Sequence, residues 1–233
     1  MKFKTYQFTG AKGTSENKDI SYFEEDHIWI LANGFKQNAE EEKAGLIAVQ
    51  KIGKKFKSNE MPSDEAIKKA AEEINPHLFE SSPSLICAVY RNGFLKFWNT
   101  GSDRLYFFSR DHTDYFHTLD QSNSDFCLYN QRSIFFEQMG KRPERSFPIH
   151  ESEAGENKIL QIYKPVCINP GDAFLLCSSN FWKFIEGEEM KIDLVKSESA
   201  EKWGQFMIKR IFSRTAELSN DDDFSLLAVQ SSC

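Results

Sequence analysis

Two short runs constrain the fold of this chain more than any other feature: His27–Ala32 (HIWILA) and Ala173–Ser178 (AFLLCS). Each is nearly all apolar and has turn-forming residues beside it: Asn33-Gly34 after the first, Asn169-Pro170-Gly171-Asp172 before the second. That is the pattern of a strand buried on both faces. A sheet built around such strands must be covered above and below, so the chain has to fold in layers. Residues 2–9, 20–24 and 158–168 alternate instead, as half-buried strands do. Leu85–Tyr90, Phe94–Asn99 and Arg104–Ser109 form three more strands, with Asn92-Gly93 suited to a tight hairpin turn and Thr100-Gly101-Ser102 making a second turn. Phe224–Gln230 closes the chain as a strand.

Helical periodicity appears in longer blocks. Between residues 40 and 57, Ala44, Leu46, Ile47, Val49, Ile52 and Phe56 fall mainly on one face. Ser63 starts a second helix carrying Ala66, Ile67, Ala70, Ala71 and Ile74, which Asn75-Pro76 is expected to stop. Residues 199–218 form a third, with Trp203, Phe206, Met207, Ile211 and Phe212. Residues 111–157 are polar and poorly patterned, with a short helix expected at about 124–139. No repeat and no Gly/Ser- or Pro-rich linker divides the sequence, so residues 1–233 read as a single domain with sheets inside and helices outside.

At 233 residues the chain is long enough to bury a sizeable core, and its 21 phenylalanines are read as core packing. Lys and Arg total 29 against 35 Asp and Glu, a net charge of −6. That sign argues against a nucleic acid or an anionic membrane as partner, since both require a positive field. The 5 cysteines show no paired CxxC spacing, which excludes a zinc-ribbon or disulfide framework. No signal-peptide core and no apolar stretch near the roughly 18 residues of a membrane helix is visible, so a cytoplasmic location is expected.

A series of short segments at predicted strand ends carries the functional signal: Thr14-Ser15-Glu16-Asn17-Lys18-Asp19; Trp29-Ile30-Leu31-Ala32-Asn33-Gly34; Gly101-Ser102-Asp103-Arg104; Asp120-Gln121-Ser122; Pro170-Gly171-Asp172 with the run through Ser178-Ser179-Asn180-Phe181-Trp182; and Asp222-Asp223-Phe224-Ser225. In order and spacing they resemble the metal-dependent protein phosphatases of the protein phosphatase 2C (PPM) family across roughly residues 13–230. The resemblance implies an α+β fold, a four-layer αββα sandwich of two antiparallel sheets flanked by helices, with a cleft at one end of the sheets. It also places residues 111–157 as the flap or variable insert beside that cleft, where a partner or substrate would make contact.

What the family uses and what this chain retains differ sharply. The family holds two Mg²⁺ or Mn²⁺ ions that activate a bridging water, and such hard cations want several oxygen ligands, anionic ones above all. Matched position by position, the phosphate-gripping Arg becomes Thr14 and the Glu of Glu-Asp becomes Lys18. The metal-bridging Asp becomes Asn33, and the later Asp-Gly becomes Ser179-Asn180. Asp19, Gly34 and Asp222 are kept, Asp223 replaces the terminal Asn, and Asp120 is a possible further ligand. Lys18 brings a positive charge toward the metals; at about 4 Å and an effective dielectric near 20 the repulsion is roughly 4 kcal/mol. That is a factor of several hundred in metal affinity. The Lys18 ammonium is expected to replace metal by pairing with Asp222 or Asp19. Asp103-Arg104 reads as a hydrogen-bonded turn rather than a catalytic pair.

The resemblance therefore yields two functional expectations. The first is a pseudophosphatase that binds a protein partner, a kinase or a phosphoprotein, with no tightly bound metal. The alternative is a divergent Ser/Thr phosphoprotein phosphatase using Mg²⁺ or Mn²⁺ on Asp19, Asp120, Asp222 and Asp223.

Overall fold

The alternation of side chains along the central strands builds the layers. The computed structural model describes residues 1–10, 20–25, 27–33, 49–78, 84–111, 114–119, 145–146, 149–154, 159–216 and 224–233. In β3 (Ile28–Asn33), Ile28, Ile30 and Ala32 face one way and Trp29 and Leu31 the other; in β4 (Ser84–Arg91), Leu85, Cys87 and Val89 oppose Ile86 and Ala88. The first set packs under two helices, α1 (49–55) and α2 (Asp64–Leu78), through Val49, Ile52, Phe56, Ile67 and Ala70. The second set faces another sheet. There β12 (Ala173–Cys177) sends Phe174 and Leu176 inward, and β13 (Phe224–Ser232) sends Leu227 and Val229. Their outward residues, Ala173, Leu175, Cys177, Leu226 and Ala228, meet α3 (Ser179–Trp182), α4 (Gly187–Val195) and α5 (Ala200–Thr215). Three apolar layers thus separate four layers of structure, helix–sheet–sheet–helix, as period-2 strands buried on both faces require.

One sheet runs in the order β1-β13-β12-β6-β7-β8, which adds β1 (Lys2–Gly10), β6 (Arg104–Phe108), β7 (Tyr115–His117) and β8 (Arg145–Ser146). The other runs β2-β3-β4-β5-β10-β9, with β2 (Ile20–Glu25), β5 (Phe94–Thr100), β9 (Ile149–Ala154) and β10 (Ile159–Tyr163); β11 (Val166–Cys167) lies beside β5. Every described pairing is antiparallel except the short β7–β8 one. The two ends of the chain meet in one pair, with Lys2 opposite Ser232 and Gly10 opposite Phe224.

Several boundaries differ from expectation. Helix α2 continues past Asn75-Pro76 to Leu78. Pro76 falls in its last turn, where the missing N–H forfeits a single backbone bond. The third helix is shorter than 199–218: Ser199 caps it by accepting from Lys202 N at 3.2 Å. Within 111–157 the described residues form β7, β8 and β9, while the helix expected at 124–139 lies outside the described residues. Among the described residues no helix is long and apolar enough to cross a membrane.

Candidate functional site

Strand register and hydrogen bonds bring the described motif residues Asn33, Gly101–Arg104, Ser178–Trp182 and Ser225 to one end of the sandwich. Ile20, which follows Asp19 in the chain, pairs with Asn33, and Asn33 pairs with Ser84. Ser84 in turn reaches the β5–β6 turn: its Oγ accepts from Ser102 N at 2.8 Å. The approach is close enough to require glycine next door. Gly101 has φ +81°, and a Cβ built there would stand 2.8 Å from the Ser84 Cα.

On the facing sheet, Asp103 precedes β6 and Ser178 follows β12. Asp103 is 0% exposed, and its Oδ1 accepts from Ser179 N at 3.2 Å across 76 residues of sequence. Ser178 and Ser225 are bonded twice, Ser178 N donating to Ser225 O and Ser225 N to Ser178 Oγ, both at 3.0 Å. In the sequence Ser225 lies two residues beyond Asp223. The Trp182 indole N–H donates to Ser102 O at 2.8 Å, and the Arg104 guanidinium stacks 3.5 Å from the centre of the Trp182 ring.

A second buried group holds the chain just before Asp120. Leu119 donates its N–H to Tyr163 Oη at 3.0 Å and its carbonyl accepts from Asn99 Nδ2 at 3.1 Å. Tyr163 Oη donates on to Gln161 Oε1 at 2.7 Å. None of Asn99, Gln161 and Tyr163 stood out in the sequence. The only available signal was a polar residue at an inward position of a strand whose other inward residues, Leu95 and Phe97, are apolar.

The predicted site residues divide in two. Ser179 is described, at the head of α3, and Asn33 is described in its backbone as the last residue of β3. Thr14, Lys18, Asp19, Gly34, Asp120, Asp222 and Asp223 lie outside the described residues, and so does the expected pairing of Lys18 with Asp222 or Asp19. Pro170-Gly171-Asp172 is a structural turn. Asp172 accepts from Arg110 N and Asn169 N, each at 2.7 Å, and Ser231 N donates to its carbonyl.

The residues described at this end do not fit a pair of divalent cations. Ser179 and Ser225 offer neutral hydroxyls, the latter 0% exposed and with no hydrogen-bond partner for its Oγ among the described residues. Asp103, the carboxylate described here, is fully buried and already holds a backbone N–H. Hard dications require charge compensation that neutral hydroxyls cannot give.

No protein-family model and no curated protein sequence matches the chain. Solved structures do. The Mycobacterium tuberculosis serine/threonine phosphatase PstP/Ppp superposes with a TM-score of 0.72 at 13% identity, covering 99% of each chain. PppA, a regulatory component of the type VI secretion system in Pseudomonas aeruginosa, gives 0.71 at 16% identity over 98% of this chain and 97% of that one. The catalytic domain of PstP with two manganese ions gives 0.70 at 14% identity over 99% of each. At such identities the likeness establishes the fold: helix-flanked paired sheets as in the PPM serine/threonine phosphatases.

Proposed function

We propose that this chain, whose fold is that of the PPM phosphatases, has lost dinuclear-metal catalysis and serves as a pseudophosphatase, a protein-binding regulatory module of the cytoplasm. Its partner would be a protein, a kinase or phosphoprotein, rather than nucleic acid or membrane. Ser179 is the observation that carries the reading. It heads α3 where the family resemblance asks for a metal-binding Asp, and its N–H is occupied by the buried Asp103. Asn33 is a second neutral replacement, and Lys18 and Thr14 remove a further anion and the phosphate-binding cation. Together these changes strip charge from a centre whose chemistry depends on it.

The test is calorimetry of Mg²⁺ and Mn²⁺ binding with p-nitrophenyl phosphate turnover followed in the same samples. No heat up to millimolar metal and no turnover is the expected result. Micromolar binding with turnover that disappears in Asp222→Ala would overturn the reading. It would establish instead a divergent phosphatase using Mg²⁺ or Mn²⁺ on Asp19, Asp120, Asp222 and Asp223.

A further inference from the structure

We infer that the described strand ends and turns at this end are held together by their own hydrogen bonds and keep that arrangement without a divalent cation. This rests on the reading that the inherited carboxylate positions no longer hold two metals. In a dinuclear centre, cations cross-link strand ends whose carboxylates would otherwise repel one another, so removing them loosens the site. Here the cross-links are direct. Ser102 N on Ser84 Oγ joins the β5–β6 turn to β4, and Ser179 N on Asp103 Oδ1 joins the head of α3 to β6. Ser225 N on Ser178 Oγ and Ser178 N on Ser225 O join β13 to β12, and Trp182 Nε1 on Ser102 O closes α3 back onto the turn.

These bonds connect segments 18, 47, 76 and 80 residues apart, so they are tertiary ties rather than local turns. The Ser225 N–Ser178 Oγ bond is buried and the other three are partly buried, with Asp103, Ser178 and Ser225 themselves 0% exposed. A network of hydrogen bonds between distant segments rigidifies the elements it joins, because the bonded groups lose their partners on opening. Asp103 itself bridges two elements, its Oδ1 accepting the backbone N–H of Ser179.

Amide hydrogen exchange measured by NMR on the whole chain reads this directly at Ser102, Ser179 and Ser225. With EDTA present, all three amides should be protected, and adding Mg²⁺ to 10 mM should change their exchange by less than twofold. A cation bound at 100 times its Kd would slow exchange through global opening about 100-fold. Mg²⁺-dependent slowing of tenfold or more would overturn the inference, as would unprotected amides in EDTA. Asp103→Asn, which keeps one side-chain oxygen, should speed exchange at Ser179 more than at Ser225; equal effects would deny Asp103 its role. The two readings fail separately. Turnover with metal-insensitive amides refutes the pseudophosphatase alone, whereas unprotected amides in EDTA, with neither metal binding nor turnover, refute only the metal-free ordering.

Discussion

Asp172 is the carboxylate whose removal can be costed most directly. It is 3% exposed, and its two oxygens accept from Arg110 N and Asn169 N at 2.7 Å each, tying the end of β6 to the turn that launches β12. A hydrogen bond to a charged group contributes about 1.5–3 kcal/mol. Both donors are only partly buried and regain some water when the carboxylate goes, so the low end applies and Asp172→Ala should cost about 3 kcal/mol. For a chain of 233 residues, roughly 2–4 °C of melting temperature follows each kcal/mol, giving a fall of about 6–12 °C. Asp172→Asn keeps one acceptor but turns an NH₂ toward the other backbone donor, so it should recover no more than about half of that loss. Urea titration of the three proteins, read by tryptophan fluorescence, measures the differences. A loss below about 1 kcal/mol in the Ala variant, or an Asn variant as stable as the native chain, would refute the assignment of Pro170-Gly171-Asp172 as a structural tie.

Two further outcomes follow from the geometry. The hydrogen bonds and charge of Arg214, with Arg210 behind it, hold the Glu189 carboxyl below the ordinary glutamate range, although partial burial opposes this. A depressed folded pKa gives stability that is present above the unfolded value and is lost as pH falls through the folded one. The difference between native chain and Glu189→Gln should therefore be about 1 kcal/mol near pH 7 and vanish well below pH ~4, and a gap that persists in acid would contradict it. Gly101 and Gly93 both have positive φ, +81° and +90°, but only Gly101 is crowded, a Cβ at Gly93 meeting nothing within 4 Å. Gly93→Ala should cost about 1 kcal/mol of backbone strain and Gly101→Ala about 2–4, as the Ser84 backbone must also move; equal denaturation midpoints would argue against the close approach.

What the sequence made legible follows burial. The runs around Ile28–Ala32 and Ala173–Cys177 appear as central strands because two apolar layers demand apolar residues at every position. By contrast, β7, β8 and β9 sit in a polar stretch where neither alternation nor an apolar run marks a strand. Helix α4 was likewise invisible: Met190 and Leu194 are buried while Ile192 and Val195 are exposed, so apolar residues lie all round it and no stripe stands out. Its start is fixed by Glu186 and Glu189 capping each other, a pairing that the run Glu186-Gly187-Glu188-Glu189 does not advertise. Asp103 read correctly as a turn residue, but its bond to Ser179 spans 76 residues and exists only because β6 and β12 pair with Cys177 opposite Arg104.

The separation between what makes this fold and what makes the site explains how one can persist while the other changes. The strands supply their share of all three apolar layers from residues inside them, from Ile28–Ala32 on one sheet to Leu226–Val229 on the other. The described candidate positions sit outside those layers, Asn33 at the last residue of β3 and Ser179 just after β12. Exchanging an Asp for Asn or Ser at a strand end removes no apolar contact and creates no cavity, so it escapes the penalties that constrain the core. It does remove the charge a cation needs. Under the proposed function, hydrogen bonds such as those of Asp103 and of the paired Ser178 and Ser225 would hold the sandwich's shape while the site end lost the electrostatics of a two-metal enzyme.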